Sequence, residues 1–340
     1  MTRQDECRAF LVASGWEAAT RTPLAGDASA RRYERLSHPD LGRAVLMDAP
    51  PDTGEDTRPF RRIADHLARL DLSPPRCLAQ DTDLGFLLLE DLGDAILARL
   101  VAADPARETP LYLAATETLL ALHAYPPPPG LPPFGPPEMA RATDLALTFY
   151  ATAAGATATP YATAELARLV EGALRRLPEA PPVLALRDFH AENLIWLPDR
   201  TGPARIGLLD FQDAFAGHPA YDLVSLLEDA RRDVSEPTRA AALAHFAARG
   251  GHDPDALALA CATLGAQRNL RILGVFARLC LTRGKAQYVD LVPRVWGHLA
   301  RDLTHPDLAE LAAFVRTTLP APTEARLARI REAAGTCPTP

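Results

Sequence analysis

The sequence is almost devoid of lysine and short of cysteine. Lys285 is the only lysine, and the other 35 of the 36 basic residues are arginines. The five cysteines are scattered and contain no C-x-x-C pair. This pattern predicts reduced thiols, as in a cytoplasmic protein, rather than a disulfide framework.

Long apolar runs are missing as well. The longest apolar helical run, 256–266, is well short of the ~20 residues that a membrane span needs, so no membrane segment is expected. The apolar stretch at 10–13 is too short for a signal peptide. With a formal charge of −7, the chain is not expected to bind nucleic acid.

Apolar periodicity predicts two parts of different structure in a chain of 340 residues, of which 48% are hydrophobic. Helices are expected at 4–14 and 58–70, and extended segments at 18–24, 30–36, 43–48, 76–81 and 86–89. Later helices are expected at 109–124, 138–152, 160–177, 219–231, 236–249, 254–281, 284–303, 306–318 and 322–334, with extended pieces at 183–187, 194–197 and 205–210. We therefore predict an α+β chain. Residues 1–93 would form a small antiparallel sheet with one main helix, and residues 94–340 a large, mostly helical part.

Two aspartates and an asparagine that follow apolar runs are the most informative residues. Asp188 and Asn193 lie five positions apart after the run 183–186, and Asp210 closes the run 206–209. Phosphoryl transfer from a magnesium nucleotide to an alcohol needs one carboxylate for the hydroxyl, and an amide oxygen and a second carboxylate for the metal. The spacing therefore predicts Asp188 as the general base and Asn193 and Asp210 as Mg²⁺ ligands.

For the loop alone, an Asx-rich turn between two strands is an equally good interpretation, since Asp and Asn are common loop residues. The apolar run before Asp210 and the turn 217–219, which leads into an apolar helix, favour the catalytic interpretation. Asp222 opens that helix and is expected to cap it or to brace the loop rather than to bind a ligand.

Four stretches resemble a known family: GDASARRY (26–33), VLMDAPP (45–51), DFHAENLIW (188–196) and DFQDA (210–214). They are similar to the aminoglycoside phosphotransferase/choline kinase branch of the protein-kinase-like fold. Within it, they resemble the bacterial kinases that phosphorylate the anomeric hydroxyl of N-acetylmuramate and N-acetylglucosamine in cell-wall recycling. The resemblance, over about residues 20–300, implies a two-lobed fold with a nucleotide-binding N-lobe and a catalytic, sugar-binding C-lobe. It also implies ATP and Mg²⁺ as cofactors, and a cytoplasmic monomer that acts on a small amino sugar.

A turn of small residues is predicted to hold the nucleotide phosphates with its backbone N–H groups: Gly26, Asp27, Ala28 and Ser29. An ordinary hairpin turn is the alternative. Kinases place a lysine on the third strand to contact the phosphates, but here the corresponding run 44–47 ends in Met47, which is expected to fill apolar space near the nucleotide. Either an arginine supplies the charge, with Arg31 and Arg32 the best candidates and Arg43 next, or the phosphates rely on backbone and metal.

The segment 88–91 resembles the hinge between kinase lobes, where backbone groups bind the adenine edge. Glu90 and Leu92 are therefore predicted to contact the nucleotide, and a simple edge strand is the alternative. Leu186 stands where protein kinases have the histidine of H-R-D, and no A-P-E-like segment follows Asp210. Both departures argue against a protein kinase.

A set of polar residues is predicted to contact the acceptor substrate: His190, Glu192, Asp213, Asp229, Arg231, Gln267, Arg268 and Arg271. His190 follows the predicted base by two positions, although a lone histidine is more often structural. Gln267, Arg268 and Arg271 interrupt an apolar helix, and an arginine there could hold the lactyl carboxylate of N-acetylmuramate. A solvated charge run at 229–233 and an interhelical salt bridge at 267–271 are the alternatives.

The predicted function is an ATP- and Mg²⁺-dependent kinase for the anomeric hydroxyl of N-acetylmuramate, N-acetylglucosamine or both. An aminoglycoside kinase is one alternative, disfavoured because the tail from residue 306 lacks the acidic cluster that a polycation needs. Choline and homoserine are other possible acceptors. A catalytically inactive, kinase-like binding module is supported by Met47 and opposed by the intact set Asp188, Asn193 and Asp210.

Overall fold

The computed structural model describes residues 2–24 and 30–337. The helices are α1 (Arg3–Ala13), α2 (Arg58–Arg69), α3 (Leu97–Ala103), α4 (Glu108–His123), α5 (Pro136–Arg141), α6 (Pro160–Arg175), α7 (Ala220–Leu227), α8 (Glu236–Gly250), α9 (Pro254–Arg283), α10 (Val292–Asp302), α11 (Ala309–Thr318) and α12 (Glu324–Glu332). The strands are β1 (Thr20–Leu24), β2 (Arg32–His38), β3 (Gly42–Asp48), β4 (Cys77–Asp81), β5 (Phe86–Glu90), β6 (Val183–Ala185), β7 (Leu194–Trp196), β8 (Ile206–Leu208) and β9 (Phe215–Gly217). Within the described ranges, no helix is long and apolar enough to cross a membrane.

The chain divides into two compact units. The first comprises Met1–Arg107 and Ala191–Ala214, and the second comprises Glu108–His190 and Phe215–Pro340. The first unit thus extends beyond residue 93, where the boundary was predicted, as far as Arg107. It also includes the later segment 191–214. Backbone contacts explain this: the Ala98 N–H donates to the Ala191 carbonyl (3.1 Å), and the Leu208 N–H donates to the Ser73 carbonyl (2.9 Å).

The first unit is built on an antiparallel sheet with the strand order β1-β2-β3-β5-β4. Helix α1 covers one face, where Phe10 stacks on Phe86 of β5 with 5.5 Å between ring centroids. Leu36, Leu46 and Leu88 contribute to the same core from three neighbouring strands. Full burial of such a side chain contributes about 1.5–3 kcal/mol, so this cluster anchors the sheet.

A short two-stranded ribbon, β7 with β8, belongs to the same unit. Leu194 lies opposite Leu208 and Trp196 opposite Ile206. The Ser73 hydroxyl donates to the Ala204 carbonyl (2.6 Å), and Trp196 N–H donates to the Ala95 carbonyl (2.8 Å). These bonds join the ribbon and its connecting segment to two parts of the chain that precede α3.

The second unit is largely helical around the 30-residue helix α9. Asp253 caps its N-terminus by accepting from Ala256 N–H (2.9 Å), and Gly284 ends it with a left-handed φ of 66°. Gly274 lets α9 lie against the chain at Leu145, because an added Cβ would come within 2.2 Å of the Leu145 carbonyl carbon. Strands β6 and β9 pair antiparallel in this unit.

The predicted order of strands and helices is confirmed, with local differences. The single helix predicted at 138–152 is instead α5 followed by a π-helical segment, Ala146–Ala151. The Thr143 hydroxyl bonds the Ala140 carbonyl (2.7 Å) at the end of α5, a local bond that competes with helix continuation. The residues before Val292 in the predicted helix 284–303 form a 3₁₀ turn, and α3 and β9 were not predicted.

Candidate active site

The segment that carries Asp188, Asn193 and Asp210 is shared between the two units, because the division falls after His190 and again after Ala214. Asp188 belongs to the second unit, whereas Asn193 and Asp210 belong to the first. Each part has its own supporting contacts.

In the second unit, a buried aspartate holds the backbone that leads to Asp188. Asp222, in the first turn of α7, is 1% exposed. Its carboxylate accepts from the Leu186 N–H (2.5 Å) and from the Arg187 N–H (2.9 Å). The prediction that Asp222 braces the loop is therefore confirmed.

Arg268 holds the same backbone from α9. Its guanidinium donates to the Arg187 carbonyl (3.0 Å) and to the Ser225 hydroxyl (2.7 Å), and Ser225 donates to the same carbonyl (3.2 Å). Arg187 itself has a left-handed φ of 76°, which is costly for a non-glycine residue and needs such support. Three side chains thus fix the peptide that immediately precedes Asp188.

The electrostatics around Asp222 show how strongly the fold depends on these contacts. Complete burial raises the pKa of Asp222 to about 7, whereas the N–H groups of Leu186 and Arg187 and the charge of Arg268 act in the opposite direction. Such a carboxylate needs its donors, because a buried charge without partners is strongly unfavourable. Asp188, two residues after the first donor, is half-buried.

In the first unit, strand pairing places the two predicted metal ligands together. Asn193 immediately precedes β7, and its carbonyl accepts from the Leu209 N–H (3.0 Å), next to Asp210. Both residues therefore leave the same end of the ribbon. Asp210 has a left-handed φ of 57°, and its Oδ1 accepts from the Gln212 side-chain amide (2.7 Å).

Phe211 fixes the backbone after Asp210. Its side chain is fully buried and stacks on Phe60 of α2, with 4.8 Å between ring centroids. Among the described residues, no group of three or more His, Cys, Asp or Glu side chains is arranged to hold a metal. An amide and one carboxylate still suit Mg²⁺, which usually keeps several waters and substrate phosphate oxygens in its shell.

The predicted nucleotide contacts fall on and around the sheet of the first unit. Met47 is 1% exposed, opposite Tyr33 on one side and Leu87 on the other, so it is apolar filling. Glu90 pairs with Arg76 (3.1 Å) and Arg200 (2.7 Å). The predicted turn Gly26, Asp27, Ala28 and Ser29 lies outside the described residues, and Leu92 packs beside Gly207, where an added Cβ would meet its Cδ1 at 2.9 Å.

The two candidate arginines differ in their surroundings. Arg32 is exposed at the start of β2. Arg31 is half-buried, and its Nε donates to Glu55 Oε2 (2.7 Å). The sequence alone predicts no partner for an arginine in this role. Glu55 lies 24 positions further along, in a connection with no recognisable pattern.

The predicted substrate residues are not all placed alike. Gln267 is a correction: it is fully buried, and its amide donates to the Met139 carbonyl (2.8 Å), so it joins two segments of the second unit. Arg268 is likewise occupied by Arg187 and Ser225 rather than directed to a carboxylate ligand. Burial and the neighbouring Arg187 lower the pKa of the Arg271 guanidinium.

The remaining predicted substrate residues lie closer to the loop or to solvent. The Arg231 N–H donates to Asp229 Oδ1 (2.8 Å), and Arg231 Nη1 lies 3.4 Å from His190 Nε2. Asp229 is 3% exposed, and its Oδ2 has no hydrogen-bond partner among the described residues. Glu192 and Asp213 are exposed. The second unit thus brings His190, Asp229 and Arg231 together.

Comparison with known proteins identifies the class. The model of the phosphotransferase enzyme family matches residues 20–260. A choline kinase from Streptococcus pneumoniae has a similar fold, with a TM-score of 0.61 at 14% identity over 88% of this chain and 99% of that one. The fold is that of the protein-kinase-like phosphotransferases, and the chain belongs to the phosphotransferase enzyme family.

Curated relatives are more specific. An N-acetylmuramate/N-acetylglucosamine kinase of Caulobacter vibrioides is 41% identical over 351 residues, covering 93% of this chain and 96% of that protein. A kinase of the same name from Pseudomonas aeruginosa is 34% identical over 334 residues, with coverage of 94% and 96%. The family resemblance inferred from the sequence motifs is confirmed, and the chain is a phosphotransferase.

Proposed function

We propose that this protein is a cytoplasmic, monomeric kinase that transfers a phosphoryl group from ATP to the anomeric hydroxyl of N-acetylmuramate, N-acetylglucosamine or both. The reaction class is supported by the positions of Asn193 and Asp210, which lie next to each other at one end of the β7–β8 ribbon. The names of relatives that align with nearly the whole chain support the sugar.

Asp188 is the proposed general base. In this role it accepts a hydrogen bond from the anomeric hydroxyl and orients that oxygen toward the γ-phosphorus of ATP. It takes the proton as the new O–P bond forms and the bond from the γ-phosphorus to the β–γ bridging oxygen breaks, so that ADP leaves. Because the transition state of phosphoryl transfer is loose, most of this contribution is positioning. The braced peptide before Asp188 is suited to that task, since Asp222 and Arg268 limit its movement.

Asn193 and Asp210 are the proposed ligands of Mg²⁺. The fit rests on donor chemistry, because both offer hard oxygen atoms, and on the backbone bond that joins their neighbouring peptides. Gln212 donates to Asp210 Oδ1 and so helps to orient the carboxylate. When bound there, Mg²⁺ would screen the negative charge of the phosphate oxygens.

The nucleotide would be held by the first unit. We assign the phosphates to the turn 26–29 together with Arg31 and Arg32, and the adenine to the backbone between Glu90 and Leu92. Buried Met47 supplies apolar surface in place of the missing lysine. ATP and Mg²⁺ are thus the cofactors of the proposed reaction.

The sugar is assigned to the second unit, at His190, Asp229 and Arg231, with Arg271 toward the lactyl carboxylate and Glu192 and Asp213 from the adjoining segments. The acetylated sugar is favoured over an aminoglycoside, because burial and the positive charge of the nearby Arg187 lower the pKa of the Arg271 guanidinium. Neighbouring cations suit a neutral or anionic acceptor better than a polycation.

Release of ADP tests the proposal. The purified protein is assayed with Mg²⁺ and ATP against N-acetylmuramate, N-acetylglucosamine, kanamycin, choline and homoserine, with Asp188→Asn as control. Turnover on the acetylated sugars with loss of the reducing end in the product is expected. Turnover on kanamycin alone would keep the class and refute the sugar. If the five acceptors are all inert, absence of a Mg²⁺-dependent nucleotide thermal shift would indicate a binding module without catalysis.

A further inference from the structure

The first unit contains an arginine–glutamate pair in a chain that lacks the usual lysine. The single lysine, Lys285, belongs to the second unit. Arg31 and Glu55 form an ion pair of 2.7 Å with side chains only 14% and 15% exposed. The charge that kinases place on the third strand is therefore available at the start of the second strand, already paired with a carboxylate.

Glu55 does more than neutralise Arg31. Its Oε2 accepts from Arg31 Nε (2.7 Å), and its Oε1 accepts from the Ala30 N–H (3.3 Å). Ala30 is the first described residue after the segment predicted to bind the phosphates. One carboxylate thus binds both the backbone of Ala30 and the side chain of the next residue.

The position of Glu55 in the fold suits a support of this kind. It lies between β3 and α2, the two elements from which kinases take the lysine and its partner glutamate. The neighbouring Asp56 differs, since it is 41% exposed and pairs with Arg58 two positions away (2.9 Å). Of these two adjacent acidic residues, Glu55 is therefore largely buried, whereas the side chain of Asp56 is more exposed to solvent.

Strand pairing places the Arg31–Glu55 pair beside the position of the missing lysine. Tyr33, two positions after Arg31 on β2, lies opposite Met47 of β3, and Arg32 lies opposite Asp48. Met47 ends the run in which kinases carry the lysine that contacts the phosphates. Arg31 therefore lies at the end of the sheet at which that lysine is missing.

We propose that Glu55 is a positioning residue that holds Arg31 against the nucleotide phosphates, so that Arg31 and Glu55 replace the lysine–glutamate pair of other kinases. The inference rests on the proposed function in assuming that the first unit binds a nucleotide. Arginine suits the role because its guanidinium is always charged and its planar set of N–H donors matches phosphate oxygens.

The test is a double-mutant cycle on nucleotide affinity. Binding of ADP with Mg²⁺ is measured by calorimetry, and KM for ATP and kcat are measured with the sugar that turns over. Glu55→Gln is expected to weaken ADP binding and raise the KM for ATP by about tenfold, the loss of one charged contact, while the KM for the sugar stays within about twofold. Arg31→Met is expected to weaken binding by more, and Arg31→Lys by less than Arg31→Met.

The double variant decides between positioning and separate effects. If Glu55 acts through Arg31, Arg31→Met with Glu55→Gln binds ADP no more weakly than Arg31→Met alone. Additive losses, or an unchanged ADP affinity in Glu55→Gln, would overturn the proposal. Asp56→Asn is the matched control and should bind ADP like the wild type. Thermal unfolding checks that each variant folds, and Glu55→Asp, which keeps the charge, replaces Glu55→Gln if that variant does not.

This experiment separates the new inference from the proposed function. Calorimetry with ADP requires no sugar, so it can be read even if the acceptor panel is silent. Sugar turnover by the wild type with normal ADP binding by Glu55→Gln would refute only the role of Glu55. ADP binding that falls in the expected order without sugar turnover would refute only the acceptor.

Discussion

The peptide before Asp188 and the peptides around Asn193 and Asp210 are held by different kinds of contact. In the second unit, the side chains of Asp222 and Arg268, both at least nine-tenths buried, bond the backbone directly. In the first unit, the pairing of β7 with β8 and one backbone hydrogen bond hold the peptides around Asn193 and Asp210. Both sets support a residue with positive φ, Arg187 in one and Asp210 in the other.

The two kinds of support differ in cost. The attraction between a buried ion and its partners roughly offsets the hydration free energy that the ion loses on burial. Removing a partner therefore leaves an unfavourable buried charge and costs several kcal/mol. A strand pair is local and neutral, and its bonds are lost only with the strand. Stability and catalysis should therefore be coupled at Asp222 and Arg268, and largely separable at Asp210.

The largest effects are expected at the reacting residues themselves. Asp188→Asn and Asp210→Asn should each lower kcat by about 10³-fold or more, since a positioned base or a metal ligand is lost. They should differ in nucleotide binding: Asp210→Asn loses the Mg²⁺-dependent thermal shift with ADP, whereas Asp188→Asn keeps it. A residual kcat within about tenfold of wild type in Asp188→Asn would exclude it as the base.

Removal of the buried brace should affect both stability and rate. Asp222→Ala leaves two buried N–H groups without acceptors, at about 1–3 kcal/mol each, and should lower the free energy of unfolding by about 2–5 kcal/mol. Urea unfolding and kcat are the measurements. Asp255→Ala, an exposed residue at the corresponding first turn of α9, is the matched control and should change neither by much. A stable Asp222→Ala protein with normal kcat would contradict the bracing role.

Arg268 allows a finer test, because two roles predict different selectivity. Arg268→Lys keeps the charge but cannot reach the Arg187 carbonyl and Ser225 hydroxyl with the same geometry, and the loss of one such bond corresponds to roughly tenfold in rate. The rate should fall equally on N-acetylmuramate and N-acetylglucosamine. A loss confined to N-acetylmuramate would instead show that Arg268 holds the lactyl carboxylate, as its position in the sequence first suggested.

Local patterns in the sequence predict every strand except β9, most helices and the extended segments of the ribbon that carries Asn193 and Asp210. These features depend on periodicity and on residues near one another in the chain, so a single sequence contains them. Asp222 was predicted as a helix cap or a loop brace because it opens a helix after a turn, but its partners Leu186 and Arg187, 36 and 35 positions away, were not predicted.

Contacts between distant segments were not predicted. Gln267 and Arg268 interrupt an apolar helix, and this pattern fits a ligand pocket and a buried polar contact equally well. Only the positions of Met139 and Arg187 decide in favour of the second. The Arg31–Glu55 pair is similar: its two residues are ordinary charged residues until the fold brings them together. The sugar contacts at His190, Asp229 and Arg231 stay a prediction.

The smallest effect concerns acid stability, to which a buried histidine of the second unit contributes. In the second unit, burial lowers the pKa of His123 to about 3, and both of its ring nitrogens are buried without a hydrogen-bond partner among the described residues. A histidine with a lowered folded pKa stabilises the fold above its unfolded value of 6.5, and this contribution is lost as the pH falls toward 3. His123→Leu should therefore lose less stability on acidification than the wild type.

The expected difference is at most about 1.4 kcal/mol for each pH unit below 6.5, the value for one proton. Urea unfolding of both proteins at pH 7, 6 and 5 measures it. Asp222, whose pKa is raised, has the opposite pH dependence but is present in both proteins and cancels in the comparison. Parallel profiles would mean that His123 is hydrated or paired in solution. Free energies of unfolding that agree between the two proteins at pH 7 and differ at pH 5 would show that the acid-sensitive group lies in the second unit.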